Sequence, residues 1–171
     1  NPGANGAAWF VDSVRLVDGP DAEIAALGGL DTKTVAVVDK LFASLVENVA
    51  PAADSAARIA MTEYRVNLQR YEYTAAAPGV AVFSEIYYPK GWTAYLDGVE
   101  APYFRADYVL RAMVLPAGTH TVEFRFRAPH YELLSSLTLI SSLLLLGGVA
   151  AVAGAAGYRA YKKRKDNDGQ Q

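Results

Sequence analysis

The residues able to do chemistry in this chain are few, and most fall within one stretch. Residues 87–108, YYPKGWTAYLDGVEAPYFRADY, hold seven aromatic rings among Asp97, Arg105 and Asp107. Rings beside carboxylates and a guanidinium are the materials of a sugar site. The faces stack on the sugar while the charged groups bond hydroxyls or a phosphate. On that reading the binding set is Tyr87, Tyr88, Trp92, Tyr95, Arg105 and Asp107. The same rings also suit the core of a small sheet, because aromatic residues favour pleated, half-buried surfaces. Glu85, Asp97 and Asp107 are carboxylates of the kind glycosidases pair, but sequence spacing sets no separation in space. Each also reads as a solvated strand or turn residue.

Other chemistry finds no footing. The chain has no cysteine, which removes thiol catalysis, thiolate-bound metals and disulfides and leaves the redox compartment open. His120 and His130 are not in a metal-binding spacing, and neither a GxSxG elbow nor a P-loop occurs. His120 falls beside a turn, and His130 borders an apolar run, where it reads as an interfacial ring. No catalytic residue, metal or cofactor is therefore expected within these residues. Arg105, Asp107 and Arg111, in FRADYVLR, read as an ion-pair cluster on an outer sheet face, where it would stabilise little.

The elements that must position these residues are mostly strands. WFVDSVRLV (9–17) alternates as one strand with Phe10, Asp12, Val14 and Leu16 on a face. In GPDAEIAALGG, Asp21 is placed to cap a short helix that ends at the paired glycines. TVAVVD (34–39) reads as a buried strand, and LFASLVENVAPAADSAA as a loop. From Arg58 the period is two. RIAMTEYRVN and LQRYEYTA form a strand pair, and VAVFSEIYY and WTAYLDG follow the turn signals Pro78-Gly79 and Pro89-Lys90-Gly91. Asp97-Gly98 is a hairpin signal, and Leu115-Pro116-Ala117-Gly118 suits a type I turn. In HTVEFRFR, Val122, Phe124 and Phe126 point one way and Thr121, Glu123, Arg125 and Arg127 the other. In YVLRAMVL, Tyr108, Leu110, Ala112 and Val114 oppose Val109, Arg111 and Met113. Seven or eight short strands at this spacing describe a β-sandwich with a minor helical element, mainly β in class.

One segment is of another kind. Between Glu132 and Arg159 lie 26 residues without a charge, enough to span a hydrocarbon core with some tilt. Its hydroxyls, Ser135, Ser136, Thr138, Ser141 and Ser142, can bond back to helix carbonyls. Tyr131 and Tyr158 stand where an aromatic belt would lie. Residues 159–171 carry five basic and two acidic side chains, a net +3, so the formal total of −2 leaves −5 elsewhere. A basic tail after an apolar helix stays in the cytoplasm, and an acidic body argues against a nucleic-acid partner. The division is thus 1–130, an extracytoplasmic β-sandwich; 131–158, a transmembrane helix; and 159–171, a basic cytoplasmic tail. Gly147, Ala151 and Ala155 recur every four residues, a spacing that lets another membrane helix approach closely. Residues 1–130 would need a signal peptide or an earlier helix to be translocated, so the chain reads as the C-terminal piece of a longer protein or a processed form.

Three stretches resemble a known family: NPGANGAAWFVDSVRLVD, the terminal helix, and the long block AVFSEIYYPKGWTAYLDGVEAPYFRADYVLRAMVLPAGTHTVEFRFRAPHYE. Tyr-Pro-x-Gly-Trp, Asp-Gly, Arg-Ala-x-Tyr and Pro-Ala-Gly-x-His follow in unbroken order in that block. Together they resemble the C-terminal part of the YfhO family of bacterial polytopic membrane proteins, which are similar to GT-C glycosyltransferases. Residues 41–57 and the basic tail lie outside the resemblance. It implies a non-catalytic module of an enzyme that moves sugars from polyprenyl-phosphate carriers to cell-envelope acceptors at the bacterial cytoplasmic membrane. The implied partners are the lipid bilayer, upstream transmembrane helices, and a polyprenyl-linked sugar or glycan acceptor. Catalytic acids of that class lie in an early loop, so none carries over, and cofactors of the full-length protein stay unknown. The alternative is a single-pass anchored domain for glycan binding or adhesion.

Overall fold

The computed structural model describes residues 4–49, 51, 53–129 and 131–168, excepting the side chains of 132, 133 and 160–168. His130 therefore lies outside the described residues, as do Asn1 to Gly3 and the last three residues of the tail. The chain divides into two units, Asn1–Arg127 and Ala128–Gln171.

Among the described residues, the first unit is mainly β, with eleven strands in three sheets. β1 (Ala8–Val11), β6 (Gly79–Ile86), β10 (Leu110–Leu115) and β9 (Phe104–Ala106) form a four-stranded sheet in that order. β4 (Arg58–Arg65), β5 (Leu68–Ala75), β11 (Gly118–Phe126), β7 (Trp92–Leu96) and β8 (Val99–Ala101) form a five-stranded one. All neighbours in both are antiparallel. The predicted turns close them. Asp97 (φ 50°) and Gly98 (φ 82°) both sit at positive φ, as a two-residue hairpin that follows strand twist requires.

The two sheets share a first core. Tyr71 and Phe124 of one meet Phe83 of the other edge to face, at 4.8 and 5.0 Å between centroids, and Met113 and Leu115 are fully buried beside them. The alternation in β11 is as expected, with Val122 and Phe124 inside. β10, however, is covered on both faces. Arg111, Met113 and Leu115 turn to the first core, while Leu110, Ala112 and Val114 turn to a second core behind the sheet. Tyr108, expected within this strand, lies instead in the turn before it, at φ 70°.

The second core belongs to a small layer that the periodicity had not suggested. The strand expected over 9–17 is broken at Asp12 into β1 and β2 (Ser13–Val17), which join different sheets. β2 pairs in parallel with β3 (Val35–Asp39), and α1 (Pro20–Leu27) makes the crossover that parallel pairing requires. Strand 34–39 is buried as expected: Ala36, Val37 and Val38 have no exposed surface. The helix begins differently from expectation. Pro20 takes a first-turn position after Gly19 (φ 83°), and no side chain caps it, Asp21 included. The stretch read as a loop starts with a 3-10 turn, Lys40–Phe42, capped by the Asp39 carboxylate, and a short helix, α2 (Ala43–Val46). Its Phe42 and Val46 pack into the second core.

The second unit is a helix, α3 (Tyr131–Asp168), which runs ten residues past the expected end of the apolar span. Leu134–Arg159 within it is long and apolar enough to cross a membrane. Three hydroxyls bond back as expected: Thr138 to the Leu134 carbonyl (2.9 Å), and Ser141 and Ser142 to that of Thr138 (3.0 and 2.8 Å).

Candidate functional site

Of the residues expected to bind sugar, Arg105 and Asp107 lie in a buried ionic junction where β9, β3 and α1 meet. Arg105 on β9 donates through Nη2 to Glu23 Oε2 on α1 (2.6 Å) and to Asp39 Oδ2 at the end of β3 (3.4 Å). Glu23 is fully buried. Asp107, in the turn between β9 and β10, is tied to the middle of β3 twice. Its N–H donates to the Val37 carbonyl and its Oδ1 accepts from the Val37 N–H, both at 2.8 Å. These bonds, with Val109 N–H donating to the Asp107 carbonyl (2.9 Å), hold a strained turn. Asp107 (φ 48°) and Tyr108 (φ 70°) are consecutive left-handed residues, each costing about 1 kcal/mol in a chain of L-residues.

Charge in this junction is poorly solvated. Burial raises the Asp107 carboxyl from its ordinary value to about 6, against the pull of the Val37 N–H and with help from the Glu23 charge. Burial raises Glu23 as well, opposed chiefly by the Arg105 guanidinium. Glu23 Oε1, Arg105 Nε and Asp107 Oδ2 are buried without a partner of hydrogen-bonding geometry. The free oxygen of Asp107 is where its proton would sit. The junction can therefore hold charge and a proton, and it pins the small parallel sheet to the edge of the larger one.

Arg111 does not join this group, so the expected cluster of Arg105, Asp107 and Arg111 does not form. Nor is it an exposed one: Arg111 alternates into the first core, where almost none of it is exposed. Its guanidinium lies 4.3 Å from the centre of the Trp92 ring and 5.0 Å from that of Phe124. Nε donates to the Ile86 carbonyl and Nη1 to Gln69 Oε1, both at 2.9 Å. Burial lowers its pKa, with the Glu85 charge acting the other way.

The rings divide between two places. Tyr87 and Trp92 are half-buried: Tyr87 packs on Phe42 (5.9 Å) and Tyr103 (5.4 Å), and Trp92 on Phe126 (5.3 Å). The Tyr103 hydroxyl shares its one proton between the backbone carbonyls of Tyr88 and Trp92, at 3.2 and 3.3 Å. Tyr88 alone of these keeps a largely exposed ring. Tyr95 is apart from them, on the other face of β7 opposite Glu123, with the Arg125 guanidinium 4.4 Å from its ring centre. Glu123 is buried there between Arg70 and Arg125, which hold its carboxyl below the usual range despite the burial. The structure thus brings Tyr87, Tyr88 and Trp92 together, and Arg105 with Asp107, but not the two sets.

His120 forms a smaller, exposed site at the opposite end of the sheets. Nδ1 lies 2.6 Å from Asp97 Oδ2 and Nε2 3.1 Å from the Ala117 carbonyl, so both nitrogens face acceptors and the imidazole pKa is raised. Asp97 is lowered, first by the Thr121 N–H and then by His120. Among the described residues, no group of three or more His, Cys, Asp or Glu could hold a metal ion. On α3, Gly147, Ala151 and Ala155 are exposed, with open space beside Gly147.

Sequence reasoning had not found Glu23, Asp39 or Gln69. Nothing in an eight-residue helix marks Glu23, whose partner is 82 positions away. The chain matches no protein-family model, no curated protein and no solved structure.

Proposed function

We propose that the first unit is an extracytoplasmic β-sandwich anchored by α3, and that it forms the C-terminal module of a membrane-embedded glycosyltransferase. That enzyme would move sugars from polyprenyl-phosphate carriers to cell-envelope acceptors, and this module would shape the acceptor's approach. The observation that carries the anchoring is Leu134–Arg159, whose most apolar 18-residue window has a mean hydropathy of 2.1 with none of it buried. An apolar surface of that size is not left to water, and a bilayer or neighbouring helices would cover it. The exposed rings of Tyr131 and Tyr158 suit the two interfaces, and the basic residues after Tyr158 support a cytoplasmic C-terminus in a bacterial inner membrane.

The core shared by the two sheets supports the sandwich reading. The glycosyltransferase assignment rests on the YfhO resemblance, whose middle block makes up most of β6 and all of β7 to β11. Upstream helices would dock on Gly147, Ala151 and Ala155, and Tyr87 and Tyr88 are the rings best placed for a glycan.

The test is the mass of the native protein, read by blotting source-cell membranes with an antibody against residues 4–127. A membrane-bound band several times larger than 18.3 kDa is the expected result. A band near that mass would overturn the polytopic parent and leave the single-pass glycan-binding domain.

A further inference from the structure

Burial does not explain several residues at one end of the β unit. That end holds the β4–β5 turn, the β6–β7 loop and the finish of β11, as the pairings Leu68 with Arg125 and Trp92 with Phe126 show. It is closed by backbone bonds: Phe126 N–H donates to the Asn67 carbonyl (2.9 Å) and Arg127 N–H to that of Gly91 (2.8 Å). Gly91 is required there, since a Cβ would fall 2.6 Å from the Arg127 carbonyl oxygen.

Apolar side chains project from this end into the open. Val66 is 94% exposed, Ile86 69%, Tyr64 65% and Tyr88 50%. Val66 is the most telling, because it occupies a two-residue turn between Arg65 and Leu68. A β-branched side chain held out in such a turn gains nothing from the fold. Basic residues accompany them. Lys90 and Arg127 are exposed, and Arg65 keeps most of its surface in the open although it is bonded to Glu63. Aliphatic and aromatic tips mixed with Lys and Arg are the composition of surfaces that sit at a lipid headgroup boundary.

The chain itself indicates which surface this is. β11 finishes at Phe126 and α3 begins at Tyr131. The four steps from Arg127 to Tyr131 reach at most about 14 Å. We infer that the β4–β5 turn and the β6–β7 loop, through Val66, Ile86 and Lys90, rest on the headgroup region of the bilayer that α3 spans. The inference rests on the reading of α3 as membrane-spanning. It adds a second, peripheral attachment to the lipid.

Because the chain has no cysteine, single labels report without background. The full chain is reconstituted in phosphatidylcholine–phosphatidylglycerol vesicles with a nitroxide on Val66→Cys, on Val99→Cys at the opposite end, or on Leu144→Cys in α3. Collision rates with oxygen, which partitions into lipid, are compared with those of an aqueous nickel chelate. The expected oxygen-to-nickel ratio at position 66 is several-fold above that at 99 and below that at 144. Equal ratios at 66 and 99, with 144 lipid-like, would overturn this inference and leave the anchor standing. A water-like ratio at 144 would overturn both. Shielding of position 66 from both reagents would replace lipid with a protein partner.

Discussion

Two arginines are drawn into this domain by different means. Arg105 is placed among carboxylates, Glu23 and Asp39, on elements far apart in sequence. Arg111 is placed among rings and neutral acceptors: Trp92, Phe124, the Gln69 amide and the Ile86 carbonyl. The first arrangement binds charge to charge, so each partner depends on the other being present. The second spreads one charge over groups that stay comfortable without it. Removing a member of each should therefore have unequal consequences, although Arg111 is the more deeply buried of the two.

The largest effect is expected from Arg105→Ala. It leaves the fully buried Glu23 unpaired and should destabilise the β unit by about 4 kcal/mol, the scale for breaking a buried pair. The measurement is urea unfolding of the full chain in detergent, followed by the fluorescence of Trp9 and Trp92. Adding Glu23→Gln should return much of that loss, since the orphaned charge goes with it. A double variant no better than the single one would show that the junction works by shape rather than by charge.

Next comes Asp107, which makes the same junction sensitive to pH. Its folded pKa, about 6, lies above its ordinary carboxylate value, so the folded state binds the proton more tightly than the unfolded chain. This contribution is complete below about pH 4 and is lost as pH rises towards about 6. The gap between the folded and ordinary values corresponds to about 3 kcal/mol at most. Asp107→Asn, which keeps an acceptor for the Val37 N–H, should flatten this part of the stability curve. An unchanged slope in that variant would move the titration to another group.

The smallest effect is expected from Arg111→Met. It keeps the packing against Trp92 and Phe124, orphans only neutral acceptors, and should cost about 2 kcal/mol in the same unfolding measurement. A loss equal to that of Arg105→Ala would erase the distinction between the two arrangements.

The distinction was hidden in the sequence for a physical reason. Alternation placed Val122 and Phe124 inside, and the Asp97-Gly98 turn was legible because its backbone demands those residues. Strand period says which residues share a face, but not whether one face or both are covered. In β10 both are, so the assignment of Arg111 to an outer face failed while the grouping of Arg111 with Met113 held. The parallel pair β2–β3 was missed because Asp12 looked like an ordinary polar position in an alternating strand, whereas the chain changes sheets there. The site fared worse than the fold. Arg105 and Asp107 were singled out for open chemistry, yet the partners that bury them lie 82 and 70 positions away, where no local pattern reaches.

β1 begins opposite Phe83 and runs away from the end at which β11 finishes, and the Ala7 carbonyl accepts from the Ser84 N–H beside that start. The chain thus comes in and goes out on the same half of the β unit, while the hairpin at Asp97-Gly98 turns at the far end. Ends that share one half of a domain can be joined by a short linker, so opening the chain at Gly98 instead should give a circular permutant in which both sheets still form.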